Sequence, residues 1–403
     1  LCDTGRPVHG RPVAVNILEV LLLVVVAVAA IEGLRLGAVL LTLSFVGFWL
    51  GLYLGAILAS VTVHLVHSQP SRTAVALITM IGSAVVLGTA GRILGGRSFR
   101  AVHKGRLAPV DSVLGVVVAV VASLLAVWLV ASTLVNSSYP SLNSVIANSS
   151  IIRSLDDVLP APPSVFSRVQ AFLSQEGFPP VFAQLAPASA GPVPLPDNAT
   201  VNAAVAAAGA STVKIVGEGC GQIQEGSGFV VAPGLVVTNA HVVAGIAHPT
   251  VVDSSGTHDT TVVYFDPSFD LAVLRTDVTE PALQLDPQTV ARSTQGAVLG
   301  YPEGGPFTFV PAGVMAEFEA QGRDIYGQGL TVRDVYEIQA VVRPGNSGGP
   351  LVLPNGEVIG VVFSRSTTNA TIGYALTSPG VVTRVHQAES ATNAVGTGGC
   401  TTG

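Results

Sequence analysis

The hexapeptide Gly345-Asn346-Ser347-Gly348-Gly349-Pro350 is the stretch around which the second half of the chain is organised. A serine that acts as a nucleophile needs an exposed hydroxyl on a tight turn and backbone N–H groups directed at the position where negative charge develops. Glycine on both sides of Ser347 permits such a turn and lets another backbone approach closely. A plain glycine-rich turn between two strands is the other interpretation of this stretch alone.

Two upstream stretches supply the residue types that such a serine requires. Thr238-Asn239-Ala240-His241-Val242-Val243 contains a histidine, and Asp270-Leu271-Ala272-Val273-Leu274 begins with an aspartate. A serine hydroxyl is a weak nucleophile at neutral pH, so it needs a histidine to accept its proton and a carboxylate to hold that histidine in the correct tautomer. We therefore predict a catalytic triad of His241, Asp270 and Ser347, in that order along the chain.

From about residue 203 to the C-terminus, short β-rich runs alternate with Gly, Pro, Asn and Asp, which predicts an all-β domain over 203–403. With its three motifs, this domain resembles the trypsin-like serine proteases, especially the bacterial HtrA/Deg-type group. The resemblance implies a chymotrypsin-like double β-barrel and cleavage of protein and peptide substrates through an acyl-enzyme. It makes His241 the general base and Asp270 the orienting acid. The N–H groups of Gly345 and Ser347 would form the oxyanion hole.

The same resemblance locates the substrate pocket, because the strand before the oxyanion turn forms its base in trypsin-like folds. We predict that Val341, Val342, Phe363 and Ser364 line this pocket. None of these residues is an acid that could pair with a basic substrate side chain. We therefore expect cleavage after Ala, Val or Leu.

The whole chain has a mean hydropathy of +0.59 and only 11% charged residues, and its apolar excess lies in the first third. Apolar stretches occupy residues 13–31, 36–59, 74–94 and 110–134, each close to the ~20 residues that cross a bilayer. We predict a four-helix transmembrane domain over residues 13–135, preceded by an extension over 1–12. The lipid bilayer is therefore one partner of the chain.

Basic residues between the third and fourth stretches predict the orientation of this domain: Arg92, Arg97, Arg100, Lys104 and Arg106. Short loops rich in Lys and Arg stay in the cytoplasm. The protease-like domain is then extracytoplasmic, or periplasmic. Arg6 and Arg11 argue weakly against this topology, since they would be translocated.

Two features of the apolar stretches point beyond membrane insertion. Gly47, Gly51 and Gly55 recur at four-residue spacing, which lets another helix pack closely. Glu19 lies within the first stretch, where a carboxylate is either functional or, without a function, near the membrane interface or paired within the bundle. The sequence leaves these two alternatives for Glu19 open.

Two short motifs, Glu32-Gly33-Leu34-Arg35-Leu36-Gly37 and Val110-Asp111-Ser112-Val113-Leu114-Gly115, resemble the colicin V production protein family. Four such spans followed by a trypsin-like domain resemble the membrane-bound acid-resistance serine proteases of mycobacteria. This resemblance covers nearly the whole chain apart from residues 1–12. It implies processing of cell-envelope proteins under acid and oxidative stress.

Residues 136–202 predict a linker with a short amphipathic helix over 164–177 and a poorly structured, Pro-rich part from about 179 to 198. Tethered near the catalytic serine, the Pro-rich part is a predicted site of self-cleavage. Cys220 and Cys400 flank the protease-like domain and add to the resemblance, and we predict that they form a disulfide in an oxidising compartment.

Several function classes are disfavoured by composition. The net charge of −6 gives no reason to propose a nucleic-acid partner. The three cysteines lack metal-ligand spacing, so we expect no metal and no cofactor. The main alternative function is a membrane transporter or scaffold whose protease-like domain only binds peptides. A protease-chaperone would need a further peptide-binding domain, for which the residues after Leu376 are too few.

Overall fold

The structure, a computed structural model, describes residues 17–62, 69–103, 108–135, 140–162, 181–182, 186–187 and 189–401. The predicted extension 1–12 and the predicted helix 164–177 lie outside these residues. The described helices are α1 (Ile17–Thr62), α2 (Gln69–His103), α3 (Ala108–Leu134), α4 (Pro140–Ala147), α5 (Ser150–Val158), α6 (Asn198–Ala208), α7 (Ala240–Val243) and α8 (Ser378–Glu389).

Helices α1 to α3 are long and apolar enough to cross a membrane. Within α1, Gly37 has a non-helical conformation with φ 70° and ψ 166°, which glycine adopts without strain. The segment before Gly37 shares a buried cluster with the C-terminal end of α3 through Leu22 and Ala131. The segment after Gly37 shares a second buried cluster with the C-terminal end of α3, through Ala56 near the end of that segment and Trp128. The chain therefore reverses direction at Gly37, which separates the first two predicted spans.

The glycine face of the second span packs against α2, as predicted. A Cβ atom on Gly51 would lie 2.4 Å from the carbonyl oxygen of Ser83, and one on Gly47 would lie 2.3 Å from that of Leu87. Contacts this short leave no room for a side chain. The small residues therefore bring the two helix backbones together.

The two motifs of the helical region meet each other in space. A Cβ atom on Gly33 would lie 2.6 Å from the carbonyl oxygen of Gly115. Asp111 is buried, and its Oδ1 accepts a hydrogen bond from the N–H of Val39 at 3.2 Å. Since Val39 follows Gly37, this carboxylate satisfies an N–H group at the start of the second segment of α1.

Two buried carboxyl groups join α5 to the apolar helices. Glu19 accepts hydrogen bonds from the N–H and the hydroxyl of Ser150 at 2.8 and 2.5 Å. Nε1 of Trp128 donates to Oδ1 of Asp156 at 3.0 Å. Of the two alternatives for Glu19, the structure supports the paired one.

In the part of the chain that the structure describes, thirteen strands form two units: β1 (Thr212–Gly219), β2 (Gln222–Ala232), β3 (Leu235–Thr238), β4 (Thr250–Val252), β5 (Thr257–Asp259), β6 (Thr261–Asp266), β7 (Leu271–Arg275), β8 (Gln295–Gly300), β9 (Thr308–Arg323), β10 (Leu330–Gln339), β11 (Pro350–Val352), β12 (Val358–Arg365) and β13 (Ile372–Thr377). Strands β8 to β13 close into a barrel. Strands β1 to β7 form a seven-stranded sheet in the order β5-β4-β1-β2-β3-β7-β6. One apolar cluster with members from both units, including Phe229 and Leu299, joins them.

The fold class is thus confirmed as a helical N-terminal region followed by a β-rich protease domain. The predicted pair of barrels is observed as one closed barrel and one sheet, whose described pairings end at β5 and β6. These edge strands are short, with three residues in β5 and six in β6. Alternation of apolar residues predicts strands but cannot decide whether a sheet closes.

The segment that precedes α6 packs on the barrel, so the prediction of a poorly structured linker is wrong for residues 189–197. Val193 is buried, and its N–H donates to Oε1 of Gln339 at 2.7 Å. The N–H of Ala190 donates to Oε2 of Glu337 at 3.1 Å. Prolines in this segment carry no N–H, and side chains of β10 satisfy N–H groups between them. Helix α6 crosses the predicted domain boundary between residues 202 and 203.

Candidate active site

The histidine and aspartate predicted as catalytic lie together, shielded from solvent. His241 is on the one-turn helix α7 directly after β3, and Asp270 precedes β7. Nδ1 of His241 lies 3.0 and 2.7 Å from Oδ1 and Oδ2 of Asp270. The backbone N–H of His241 also donates to Oδ1 at 2.9 Å. This contact places the imidazole proton on Nδ1 and makes Nε2 the proton acceptor.

Asp270 adopts an unusual backbone conformation that two hydrogen bonds maintain. Its φ is 68°, in the left-handed region that costs a residue with a side chain about 1–2 kcal/mol. Nδ2 of Asn239 donates to the carbonyl oxygen of Asp270 at 2.8 Å. The N–H of Asp270 donates to the carbonyl oxygen of Asp266 at 2.9 Å. Asn239 thus holds the backbone of Asp270, a role that the sequence did not predict.

Ser347 lies on the tight turn that the flanking glycines predict. Gly345 has φ 90° and Gly348 has φ 82°. A Cβ atom on Gly345 would lie 2.4 Å from the carbonyl oxygen of Tyr301, and one on Gly348 would lie 2.1 Å from that of Ser227. Both conformation and space therefore require glycine. The carbonyl oxygen of Ser347 accepts the N–H of Ser227 at 2.8 Å.

Gly226 shows how near this turn lies to the histidine. A Cβ atom on Gly226 would lie 2.6 Å from the side chain of Val242, the neighbour of His241, and 3.2 Å from the carbonyl oxygen of Ser347. Both catalytic candidates lie in the described part of the chain, and no hydrogen bond joins the Ser347 hydroxyl to the His241 ring there. In free enzymes such bonds are often long and tighten only when substrate binds.

One backbone contact orients the predicted oxyanion hole. The carbonyl oxygen of Pro344 accepts a hydrogen bond from the N–H of Glu303 at 2.6 Å. Because the C=O and N–H of a trans peptide point in opposite directions, this bond directs the N–H of Gly345 away from Glu303. Glu303 acts through its backbone, so its side-chain type gave no signal in the sequence.

Ser227 links the same turn to the barrel. Its hydroxyl donates to the carbonyl oxygen of Gly345 at 2.6 Å and accepts the N–H of Tyr301 at 2.8 Å. Ser227 is fully buried. Its residue type alone does not predict this role, and its place between Gly226 and Gly228 was the available signal in the sequence.

The four predicted pocket residues differ in exposure. Val341 is 42% exposed, whereas Val342, Phe363 and Ser364 are buried. Val342 belongs to an apolar cluster of the barrel, and Phe363 belongs to the cluster between the two units. Of the four, Val341 therefore presents the most surface to a substrate, and the pocket assignment stays a prediction.

A second histidine cluster lies away from this site. Nδ1 of His258 lies 2.7 Å from Oδ1 of Asp277, and its Nε2 lies 3.1 Å from Oδ2 of Asp253. Hydrogen bonds to Asp277 and Asp253 raise the pKa of His258 above its usual value. Burial acts to raise the pKa of Asp253, but hydrogen bonds from Ser255, His258 and Gly256 outweigh it and lower that pKa to about 2. Among the described residues, no group of three or more His, Cys, Asp or Glu side chains is arranged to hold a metal ion.

Cys220 and Cys400 are joined by a disulfide, with their Cα atoms 5.7 Å apart. The bridge connects the end of β1 to the C-terminal tail. The N–H of Gly245 donates to the carbonyl oxygen of Thr397 at 3.2 Å. The N–H of Val395 donates to the carbonyl oxygen of Val262 at 2.8 Å. The tail is thereby held against the unit that contains α7 and the histidine.

Comparisons with known proteins match both halves of the chain. Residues 18–160 match the colicin V production protein model, and residues 226–361 match the trypsin-like peptidase domain model. Serine protease Rv3671c of Mycobacterium tuberculosis H37Rv is 37% identical over 393 residues, which cover 95% of this chain and 98% of that protein.

Two further similarities concern the protease half. The crystal structure of the Rv3671c protease in its active form is 41% identical with a TM-score of 0.52, and it covers 54% of this chain and 97% of its own. Mitochondrial serine protease HTRA2 of Bos taurus is 37% identical over 174 residues, which cover 41% of this chain and 37% of that protein.

Proposed function

This chain belongs to the serine protease family of Mycobacterium tuberculosis Rv3671c, and from that premise we propose a mechanism and a membrane topology for it. We propose that Ser347 attacks the substrate peptide bond to form an acyl-enzyme. The observation that carries this proposal is the buried His241–Asp270 pair next to a nucleophile turn that only glycines permit.

In this mechanism, Nε2 of His241 accepts the proton of the Ser347 hydroxyl as its oxygen attacks the carbonyl carbon. Asp270 stabilises the resulting imidazolium, and their 2.7 Å contact in a buried site strengthens that effect. The N–H groups of Gly345 and Ser347 stabilise the oxyanion. His241 then donates its proton to the leaving amine, and a water molecule releases the acyl group by the same steps in reverse order.

The protein is a membrane protein with an apolar helical region, and we propose that this region crosses the bilayer four times. The reversal at Gly37 divides α1 into two spans, and α2 and α3 supply the others. With the basic segment 92–106 in the cytoplasm, the protease domain is extracytoplasmic. The disulfide fits an oxidising compartment.

We assign residues 13–135 to the membrane domain and residues 203–403 to the protease domain, with 136–202 between them. The substrates we propose are envelope proteins and the chain itself, within its linker. A role in acid and oxidative stress resistance follows from the family resemblance alone. Comparing the envelope proteins of cells that carry the wild type or Ser347→Ala would identify substrates.

The test of the mechanism is a set of three variants in the full-length chain in detergent. Because Ser347 and His241 act as one unit, Ser347→Ala, His241→Ala and the double variant should each lose peptidase activity by a similar factor, on the order of 10⁴–10⁶. Multiplying losses in the double variant would contradict the triad.

A fluorophosphonate probe separates this proposal from the alternative of a transporter or scaffold that only binds peptides. Activated serine reacts with the probe, so labelling should occur in the wild type and be absent from Ser347→Ala. A wild-type chain that binds peptides but resists the probe would favour the alternative.

A further inference from the structure

The loop between β12 and β13, residues 366–371, contacts the end of the membrane domain and helix α4, which follows it. Nδ2 of Asn143, on α4, donates to the carbonyl oxygen of Thr367 at 3.1 Å. The hydroxyl of Thr367 donates to the carbonyl oxygen of Val135, directly after α3, at 3.3 Å. Asn143 is fully buried, so this is a closed polar contact rather than a surface encounter.

The same loop is continuous with both sides of the predicted substrate pocket. Through β12 it follows Phe363 and Ser364 directly in the chain. At its other end, the carbonyl oxygen of Thr371 accepts the N–H of Ala340 at 2.9 Å, immediately before Val341. A displacement of this loop therefore moves both of the strands that would border a substrate side chain.

Local hydrogen bonds also tie the two ends of the loop to each other. The hydroxyl of Ser366 accepts the N–H groups of Thr368 and Asn369 at 3.2 and 3.3 Å. The N–H of Ser366 donates to the carbonyl oxygen of Ile372 at 2.9 Å, which closes the loop at its base. Ser366 thus forms a local side-chain-to-backbone motif that supports the turn.

We propose that the membrane domain is a positioning element for the substrate pocket, and that Asn143 and Thr367 transmit this effect. This inference rests on the proposed peptidase function and extends it. It gives the helical region a role in catalysis beyond anchoring. Neither residue touches substrate, so both are positioning residues and should affect substrate binding and selectivity more than the chemical step.

The activity test compares Asn143→Ala with Asn148→Ala in the full-length chain in proteoliposomes. Asn148 is the matched control, because among the described residues its exposed side chain bonds only to the nearby carbonyl oxygen of Ser144. One hydrogen bond corresponds to a factor of about two to ten in an equilibrium. We expect Asn143→Ala to raise KM by about that factor, to leave kcat within about twofold, and to change the ratio of Leu to Ala cleavage.

A second variant approaches the contact from the protease side. Thr367→Val removes the hydroxyl but keeps the shape of the side chain, so it should raise KM in the same way. The two variants remove different hydrogen bonds that hold the same loop, so the double variant should raise KM by less than the product of the two single effects. Unchanged KM and selectivity in both single variants, or an equal change in Asn148→Ala, would overturn the inference.

Cross-linking tests the contact without reference to activity. On a Cys2→Ser background, Asn143→Cys with Thr367→Cys should be joined by a short bismaleimide in membranes, whereas Asn148→Cys with Thr367→Cys should not. Absence of this cross-link in an active chain would overturn the inference alone. A cross-linked chain whose wild type hydrolyses no peptide would overturn the proposed function, and the pocket role with it.

Discussion

The hydroxyl of Ser227 provides the sharpest test of how the nucleophile turn is held. Ser227→Ala removes a donor from the carbonyl oxygen of Gly345 and an acceptor from the N–H of Tyr301, at 2.6 and 2.8 Å. A buried backbone group left without a partner costs about 1–3 kcal/mol. The Tyr301 site is only partly buried, so we expect a total loss of about 2–4 kcal/mol.

The kinetic effect should be smaller than the loss of an oxyanion donor, which lowers kcat by about 10²–10³. The N–H of Gly345 belongs to the Pro344–Gly345 peptide, whose bond from the N–H of Glu303 remains, and the lost bond orients only the next peptide. A net contribution of about 0.5–1.5 kcal/mol for one bond predicts a fall in kcat of up to about tenfold, with little change in KM.

The assay uses the full-length chain in detergent, with fluorophosphonate titration to count reactive sites and peptide hydrolysis to give kcat and KM. For a domain of this size, a loss of 2–4 kcal/mol lowers the melting temperature by about 4–16 °C. Ser211→Ala is the control, because Ser211 is also buried and in the same unit, and its hydroxyl makes no hydrogen bond within the described part of the chain.

Two results would refute this reasoning. A kcat equal to that of the wild type, with a lowered melting temperature, would show that Ser227 supports the fold but not the oxyanion hole. A Ser211→Ala variant that loses as much activity as Ser227→Ala would show that the effect is a general loosening of the unit.

Four further predictions concern other parts of the chain. A peptide library should show cleavage after Ala, Val or Leu, because Val341 offers no carboxylate to a basic side chain, and a dominant preference for Lys or Arg would mean that other residues line the pocket. His258→Gln should lower the melting temperature more at about pH 5.5 than at about pH 8.5. Because folding raises the pKa of His258, its contribution to stability is complete below its ordinary pKa of about 6.5 and is lost as pH rises through its pKa in the folded protein. An equal loss of melting temperature at both pH values would contradict this prediction. Gly51→Ala should destabilise the membrane domain in detergent, whereas Gly82→Ala should not, because a Cβ atom on Gly82 would meet no atom within 4 Å. Equal melting temperatures of the two variants would argue against the close helix contact. The purified chain should be cut with time before Ala190, within residues 179–189, while its Ser347→Ala variant stays intact, and equal shortening of both would point to a contaminating protease.

The sequence points to the catalytic candidates because their side chains carry the chemistry. His241, Asp270 and Ser347 are recognisable by residue type and order, and the structure brings the first two into direct contact. The supporting residues act on backbone groups far along the chain. Asn239 bonds a carbonyl 31 residues away and Ser227 one 118 residues away, and no local pattern predicts such pairings.

The fold follows the same division between local and distant information. Apolar length predicted the membrane helices, and the glycine spacing predicted the face on which they pack. The composition of the linker predicted disorder for residues 189–197, but acceptors on β10 hold this segment on the barrel. Whether the first sheet closes depends on the pairing of its edge strands, which single-strand patterns do not determine.

The nucleophile turn is built at a seam between units, and this has a consequence for how activity responds to perturbation. Ser227 lies on β2 of the sheet, Tyr301 follows β8 of the barrel, and Gly345 precedes β11. The hydroxyl of Ser227 binds the other two, so the oxyanion turn is correct only when sheet and barrel are in register. Contacts that hold this register cost less to disturb than either hydrophobic core. Activity should therefore fall before either unit unfolds.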